Sequence, residues 1–300
     1  MLSKSFLASL ALAGGAAAAT VSSRLPLRIV SYNIRQAVSV AGTGEELWSV
    51  RSPLLVNQVQ EIAAGAPEGG ATIIGMQEVV HVQLTDIKAG LGENWDHIGV
   101  AREDGFESGE YSPIIYQTDV LKLLYNETTW LSETPDIPSK GWDAAYTRIS
   151  TIGVFEHIET GKRWIAANTH LDNEGVVARA EGVKLVTARV KALQETWGPL
   201  GVSLTGDFNS PPGGEAYEAL STGSYFEELY NMNACVKEGP YETYTGFTPT
   251  TNQTRIDFIW LGPKNETRWK VDKYAVLDNI EHGIYISDHR AVVGDVRLRA

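Results

Sequence analysis

Short runs of β-forming apolar residues recur along almost the whole chain and predict its strands. The predicted strands are Leu27–Tyr32, Ala71–Met76, His97–Ala101, Ser112–Tyr116, Ile149–Phe155, Arg163–Asn168, Val202–Thr205, Arg255–Leu261 and Ala291–Arg297. Some runs alternate apolar and polar positions and others are continuously apolar. This mixture indicates sheets that pack on each other and are covered to different degrees.

Two segments between these runs carry helical spacing. Ser52 and Pro53 are typical of an N-cap followed by a first-turn proline, which predicts a helix through about Ala64. A longer helix is predicted from about Gly175 to Trp197, with an apolar stripe that belongs to the core. Strands separated by a few helices predict an α/β (α+β) chain of packed sheets flanked by helices.

Composition narrows the class of protein. The chain has 300 residues, of which 43% are apolar and 21% charged, which excludes disorder, collagen and coiled coil. We see no repeat or linker between residues 26 and 299, so residues 20–300 are predicted to form a single domain. The net charge of −12 excludes a general basic surface, and a nucleic acid would have to be held locally.

Residues 1–19 have the layout of a secretory signal peptide. Lys4 precedes a charge-free run from Phe6 to Ala19, which is too short to span a bilayer. We therefore expect a secreted, extracellular monomer without stable membrane insertion. Three N-x-S/T sequons add weak support for a glycoprotein; they begin at Asn126, Asn252 and Asn265. Cys235 is the single cysteine, so no intramolecular disulfide forms, and we expect a small buried side chain there.

Four segments place polar residues where a predicted strand begins or ends. They are RIVSYNIR (28–35), IIGMQEVV (73–80), SLTGDFNS (203–210) and the pair RIDFIW (255–260) with ISDHR (286–290). Side chains at neighbouring strand ends meet on one rim of a sheet. The converging set is Asn33, Glu78, Asp207, Asn209, Asp257, Asp288 and His289. Its carboxylates would repel one another in a pocket, so a bound cation or raised pKa values are expected.

The donors in this set favour a hard cation. They are oxygens and imidazole without a thiolate, which indicates Mg²⁺, with Mn²⁺ or Ca²⁺ as alternatives, rather than zinc. Such an ion keeps open positions that bind and polarise a phosphate oxygen. The pattern therefore predicts a phosphate-ester substrate, with the metal supplying positive charge inside an acidic protein.

Two histidines supply the expected acid–base chemistry. His289 follows Asp288, and Asp257 lies on the preceding strand, so one aspartate can hold the metal while the other orients the imidazole. His170 ends another strand, and Glu110 precedes one, which makes a second Glu–His pair plausible. Each motif taken singly also has a structural explanation. The Asp172-Asn173 pair, for example, is explained equally well as an N-cap of the long helix.

The order of the motifs is more specific than any one of them. SYN (31–33), QE (77–78), THLD (169–172), GDFN (206–209), RIDFIW (255–260) and SDH (287–289) resemble, in order, the motifs of the endonuclease/exonuclease/phosphatase superfamily, the deoxyribonuclease-like fold. The resemblance runs from about Leu27 to about Arg299. Trp48-x-x-Arg51, GVAREDG (99–105) and Gly109-Glu110 before SPIIY are similar to a secreted branch of that family.

The resemblance implies a four-layer sandwich of two packed mixed β-sheets flanked by helices. It also implies roles for the candidate residues. Glu78, Asn33 and Asp288 would hold the metal, while Asp207 and Asn209 would position the attacking water and the phosphate. His289, oriented by Asp257, would act as general base or stabilise the transition state, and His170 with Glu110 would match the second histidine pair of the deoxyribonuclease-like members. Arg35 would add a phosphate contact or remain a solvated loop residue.

The substrate stays open at this stage, because the basic surface of the DNA-repair members is missing. We expect a secreted, divalent-metal-dependent hydrolase that cleaves a phosphodiester by in-line attack of water, with extracellular nucleic acid as the first substrate. The alternatives are a phosphomonoesterase or a phospholipid or inositol phosphate hydrolase. A binding module that kept the fold without the chemistry is disfavoured, because Glu78, Asp207 and His289 are all present.

Overall fold

The computed structural model describes residues 24–232, 236–264 and 267–299, so the predicted signal peptide, Cys235 and Asn265 lie outside the described residues. The strands, in chain order, are β1 Leu25–Asn33, β2 Ala71–Gln77, β3 Trp95–Ile98, β4 Ile114–Gln117, β5 Leu121–Trp130, β6 Ile149–His157, β7 Arg163–His170, β8 Gly201–Asp207, β9 Glu227–Glu228, β10 Val236–Glu238, β11 Asp257–Gly262, β12 Trp269–Val276, β13 Ile280–Glu281, β14 Ile284–Tyr285 and β15 Val292–Leu298. The helices are α1 Trp48–Ala64, α2 His81–Leu91, α3 Val176–Trp197 and α4 Glu215–Ser221, with a 3₁₀ turn at Leu229–Asn231.

Two large mixed sheets form the centre of the molecule. The first has the strand order β10-β12-β15-β1-β2-β4-β3, and the second has the order β5-β6-β7-β8-β11-β9. In the first sheet β1 is parallel to β2 and antiparallel to β15. In the second, β8 is parallel to β7 and antiparallel to β11. The two packed mixed sheets predicted from the sequence are confirmed.

Three apolar clusters define four layers. The inner cluster joins the facing sides of both sheets, with residues such as Ile29 and Phe155 fully buried. A second cluster packs α1 and α2 against the outer side of the first sheet, and a third packs α3 and α4 against the second sheet. Among the described residues, no helix is long and apolar enough to cross a membrane. The four-layer α/β sandwich is therefore the observed architecture.

The core between the sheets becomes polar toward one end. Asn168 on β7 accepts hydrogen bonds from Gln77 Nε2 at 2.7 Å and Thr205 Oγ1 at 3.0 Å, and it donates to the Met76 carbonyl at 2.6 Å. A Cβ added at Gly75 would stand 2.1 Å from Thr205 Oγ1. Glycine at this position thus allows the two sheets to approach each other closely. This buried contact between the sheets, which we call the polar seam, lies at the end where the sequence motifs gather.

Some predicted element boundaries were wrong. Helix α1 begins at Trp48, and Ser52 is not its N-cap, because burial of Trp48 and Arg51 holds an earlier turn in place. The predicted strand His97–Ala101 is instead Trp95–Ile98. It ends early because Gly99 has a φ of 107°, which leaves the extended conformation. Helix α3 begins after Gly175, close to its predicted start.

Candidate active site

The strand registers place the predicted site residues at one end of the sandwich. In the first sheet Asn33 is paired with Gln77, so Glu78 follows directly beside the end of β1. In the second sheet Asp207 lies between His170 on one side and Asp257 on the other. The sequence motifs are therefore adjacent because of β pairing, although they are far apart along the chain.

Asn33 joins the two halves of the site. Its Nδ2 donates to Glu78 Oε1 at 3.0 Å and to Asp207 Oδ2 at 2.9 Å, while its Oδ1 accepts from the Arg35 N–H at 3.0 Å. In this orientation the amide nitrogen faces the carboxylates. Asn33 would have to rotate its amide to present oxygen to a metal, so its role as a ligand stays a prediction.

Asp288 and His289 reach this end through a short segment that is fastened to β1. Ser287 Oγ donates to the Asn33 carbonyl at 2.7 Å and accepts from the His289 N–H at 3.2 Å. Beneath it, Arg51 Nη1 donates to the carbonyls of Ile34 and Ile286 at 2.9 and 2.7 Å. These contacts fix the relative position of the chain segments that carry Asn33 and Asp288.

His289 and Asp257 form a buried dyad. Nδ1 of His289 lies 2.8 Å from Asp257 Oδ2, and its Nε2 lies 3.7 Å from Asp207 Oδ2. Burial works against a charged imidazole, but the Asp257 and Asp207 carboxylates outweigh it and raise the pKa of His289 well above its usual range. The imidazole is oriented, with one nitrogen directed toward Asp207, as the Asp257–His289 prediction requires.

His170 has a different environment. Its Nδ1 lies 3.5 Å from Glu110 Oε2 but only 3.0 Å from Arg148 Nη1, and Glu110 forms its shorter contact, 2.7 Å, with Arg102. Burial, reinforced by the Arg148 guanidinium, lowers the pKa of His170 to about 3. The structure therefore places Glu110 next to His170, as the predicted pair requires. Each of the two also contacts an arginine, Arg102 at Glu110 and Arg148 at His170. A neutral His170 differs chemically from the charged His289.

The carboxylates fit a bound cation. Atoms of Glu78, His170 and Asp207 that can ligate a metal lie within 4.8 Å of one another. Burial, reinforced by the Asp257 charge, raises the pKa of Asp207, and burial raises the pKa of Asp288 to about 6 against the opposing charge of His289. Asp288 Oδ1 is also buried without a hydrogen-bond partner. A divalent ion would offset this repulsion and occupy the unpaired oxygen.

Asn209 and Arg35 flank these groups. Asn209 has a φ of 47°, its backbone N–H donates to Asp207 Oδ1 at 2.9 Å, and its Nδ2 lies 3.2 Å from His170 Nε2. Arg35 Nε pairs with Glu45 at 2.8 Å, and its Nη1 lies 3.8 Å from Glu78. Both side chains line the same cavity, where a phosphate contact remains their predicted role.

Most of the predicted residues border a cavity of about 890 Å³, whereas the buried Asn33 and Asp257 do not line it. It also contains residues that sequence reasoning missed, namely Arg102, Tyr146, Arg148, Asn173 and Tyr244. Arg148 immediately precedes β6, which runs antiparallel to β7 so that Ser150 lies opposite Thr169. β7 ends in a sequence motif, and β6 runs antiparallel to it. The residue just before β6 therefore lies at the same edge of the sheet as that motif. That relation is the signal that would have pointed to Arg148.

Comparison with known proteins places the chain in a family. The model of the Endonuclease/Exonuclease/phosphatase family matches residues 30–289. An endonuclease/exonuclease/phosphatase family protein from Bacteroides thetaiotaomicron is 32% identical, with a TM-score of 0.80 and coverage of 92% of this chain and 98% of that one. A mannosyl-6-phosphatase of the same organism is 33% identical, with a TM-score of 0.79 and coverage of 90% and 99%.

A third solved structure, from Bacteroides vulgatus, is 30% identical, with a TM-score of 0.79 and coverage of 91% and 99%. A search of curated proteins finds no match. The chain belongs to the endonuclease/exonuclease/phosphatase family, whose members are phosphoesterase hydrolases that depend on a divalent metal ion. Its motifs, fold and acidic site agree with that membership, so the protein is a phosphoesterase.

Proposed function

We propose that the protein hydrolyses a small phosphomonoester, of the sugar phosphate class, by in-line attack of water. The cavity carries this proposal. Its volume of about 890 Å³ lies in the range of small-molecule sites, and it gathers Arg35, Arg102 and Arg148 in a protein of net charge −12. A terminal phosphate dianion suits such a local concentration of guanidinium groups. The similarity to a mannosyl-6-phosphatase supports the sugar phosphate class.

The cation-binding role falls to Glu78 and Asp288, with Asn33 beside them. When bound, a divalent cation, for which we propose Mg²⁺, would polarise a phosphate oxygen and offset its charge. Asp288 contributes the buried unpaired oxygen, and Glu78 lies at the junction of the two sheets. Both residues follow or precede strands of the first sheet, so replacing either carboxylate removes negative charge from that side of the cavity.

The protein's own groups carry the proton and charge transfers. Asp207, with its raised pKa, accepts a proton from the water whose oxygen attacks phosphorus, and the ester P–O bond breaks opposite to it. His289 is held by Asp257 in its charged form and stabilises the negative charge that develops on the phosphoryl oxygens. Neutral His170 and Asn209 hydrogen-bond to the phosphate, and the alcohol leaves with a proton from solvent.

A substrate panel tests this function. Purified protein is incubated with mannose 6-phosphate, an aryl phosphomonoester, the matching diester, DNA, RNA, sphingomyelin and a phosphoinositide, each with Mg²⁺ or with chelator. We expect release of inorganic phosphate from the monoesters, lost with chelator and restored by Mg²⁺. Faster cleavage of the diester or of nucleic acid would show that the protein is a phosphodiesterase rather than a phosphomonoesterase. Binding without any turnover would indicate an inactive binding module.

Site variants connect the activity to these residues. His289→Ala and Glu78→Gln should each lower kcat at least about a thousandfold, because each removes a group required for charge stabilisation. His81→Ala is the matched control, since this half-exposed histidine lies outside the cavity and should retain full activity. Retained folding is checked by circular dichroism. Activity that survives either site substitution contradicts the assigned roles.

We also propose that the protein is secreted and glycosylated, on the support of the sequence alone. Protein recovered from the medium of a eukaryotic expression host should begin near Thr20, as read by mass spectrometry. Exposed Asn126 and Asn252 should carry glycans that an amide-cleaving glycosidase removes. Retention of an intact residue 1–19 segment inside the cell would contradict secretion.

A further inference from the structure

Tyr146 forms an exposed aromatic surface inside the cavity. The residue is 50% exposed and lines a site built mainly from polar and charged groups. The guanidinium carbons of Arg102 and Arg148 lie 5.5 and 5.6 Å from the centre of its ring. Both arginines are largely buried, and each contacts the ring through its planar group. Tyr146, Arg102 and Arg148 together are called the aromatic platform below.

The platform is fixed in place by buried groups. The Asp172 carboxylate accepts hydrogen bonds from the backbone N–H groups of Ala145 and Tyr146, both at 3.0 Å, and from Arg148 Nε at 3.3 Å. On the other side, Arg102 Nη1 donates to the buried Glu110 carboxylate at 2.7 Å. A half-exposed tyrosine held this firmly is preorganised, so little conformational entropy is lost when a ligand covers it.

The platform adjoins the reaction centre. Arg148 Nη1, at one edge of the platform, lies 3.0 Å from His170 Nδ1, and His170 Nε2 lies 3.6 Å from Asp207 Oδ2. The Tyr146 ring therefore lies on the side of the cavity where Arg148 contacts His170. This places the ring close enough to the reaction centre for the alcohol part of a small substrate to reach it.

We propose that the aromatic platform is the subsite for the alcohol part of the substrate and that it takes the pyranose ring of a sugar phosphate, an inference that rests on the proposed function. The apolar face of the sugar stacks on Tyr146, as aromatic side chains favour. Among the described residues, Arg102 Nη2 and Asn173 Nδ2 form no hydrogen bonds, and both residues line the same cavity as Tyr146. These two groups are the donors for the sugar hydroxyl groups. A flat nucleobase would leave both donors mostly unpaired.

Paired substrates separate this subsite from the reaction centre. Mannose 6-phosphate carries a ring, and glycerol 3-phosphate carries the same phosphate on an acyclic alcohol. Tyr146→Ala should raise KM for mannose 6-phosphate about tenfold with kcat almost unchanged, because a contact present equally in ground and transition states is removed. The kinetic constants for glycerol 3-phosphate should stay the same. Tyr146→Phe keeps the ring and should retain the preference.

Matched controls make the result decisive. Tyr125→Ala removes another partly exposed tyrosine that lies outside the cavity, and it should leave both substrates unaffected. Equal losses for both substrates in Tyr146→Ala would show a structural role and overturn the proposal. A stronger loss for adenosine 5′-monophosphate than for mannose 6-phosphate would overturn the sugar assignment in favour of a nucleobase.

A binding measurement distinguishes this proposal from the proposed function. Calorimetry with Mg²⁺-loaded His289→Ala protein reports affinity without turnover. We expect mannose 6-phosphate to bind about tenfold more tightly than glycerol 3-phosphate, and we expect this ratio to vanish when Tyr146→Ala is added. A preserved ratio overturns the platform even if hydrolysis occurs. Loss of the ratio without hydrolysis by the wild-type protein supports the subsite and rejects the enzyme function.

Discussion

Arg51 shows how a single buried residue supports the site without touching substrate. The side chain is fully buried and makes five hydrogen bonds to backbone carbonyls, and no carboxylate is among the acceptors. Burial lowers its pKa. Its planar guanidinium group donates hydrogen bonds to the carbonyls of Ile34, Arg35 and Ile286. These carbonyls belong to chain segments that meet only in the folded protein. Sequence reasoning noted Arg51 as part of a motif but could not show that its partners are backbone atoms.

Arg51→Lys should therefore be costly although charge is conserved. An ammonium offers three donors from one atom, so carbonyls at Ile34 or Ile286 lose their partners, and we expect about 2–4 kcal/mol of destabilisation. Urea unfolding measures this change. Arg163→Lys, which alters a surface pair with Glu156, is the control and should change stability by less than about 0.5 kcal/mol. Equal effects would show that the backbone contacts contribute little.

Asp257 acts on the reaction through His289. Asp257→Asn keeps the size of the side chain but removes the charge that holds the imidazole in its charged form. We expect kcat to fall about 10²- to 10⁴-fold with little change in KM. Steady-state kinetics with the best phosphomonoester measures this effect. A KM increase at constant kcat would instead place Asp257 in substrate binding.

At the level of elements, the sequence predicted the strands that carry motifs better than the others. β1, β2, β7, β8 and β15 were found close to their predicted bounds. β5 and β12 were missed, and so was α2. β5 is an edge strand with many half-exposed positions, and α2 buries only Gln83, Leu84 and Ile87, so neither has a strong apolar period.

Asp172 connects the segment before α3 to the segment that carries Tyr146. This role is broader than the N-cap that the sequence suggested. Its Oδ1 accepts hydrogen bonds from the N–H groups of Glu174 and Gly175 at 3.1 and 2.8 Å. In the first turn of α3 the acceptor is Asp143, whose Oδ1 accepts from the Ala178 N–H. Burial disfavours the carboxylate, but its backbone donors hold the pKa of Asp172 well below its ordinary range. The same carboxylate positions the segment carrying Tyr146.

The stability provided by Asp172 should depend on pH. A depressed pKa in the folded state means that the stabilisation is fully present above the unfolded pKa of about 4 and is lost progressively as pH falls from there through the lower folded-state pKa. Asp172→Asn should cost about 2–3 kcal/mol at pH 7 and a smaller amount at pH 3, measured by urea unfolding at both values. Asp136→Asn, at an 83% exposed side chain, is the control. A cost independent of pH would contradict the role of the charge.

For the whole molecule, the site depends on how closely the two sheets pack. Asn33 and Glu78 come from the first sheet, whereas Asp207 and Asp257 come from the second. The order of motifs in the sequence predicted this gathering. Arg102, Arg148 and Tyr146 were not predicted as site residues, because they lie in loops whose positions are set by tertiary contacts rather than by a strand end.

Gly75→Ala should disturb both stability and activity by separating the sheets at the polar seam. The new methyl group would meet Thr205 Oγ1 at 2.1 Å and Asn168 Oδ1 at 2.6 Å, neither of which can move far. We expect about 1–3 kcal/mol of destabilisation and a lower kcat. Thermal unfolding and kinetics measure the two effects. Gly42→Ala, whose methyl meets only a side-chain oxygen at 3.3 Å, should change little; an equally large effect there would refute this explanation.

The pairing of β1 with β15 has a consequence for synthesis of the chain. β15 lies between β12 and β1, with Leu25 opposite Leu298, so the first sheet is completed only after β15 is synthesised, later than every other described strand of both sheets. A nascent chain that stops before Val292 already contains every candidate catalytic residue, but β1 and β12 then have open edges. Hydrolytic competence is therefore expected only after β15 has been translated, and a chain that stops earlier exposes two unpaired strand edges that favour aggregation.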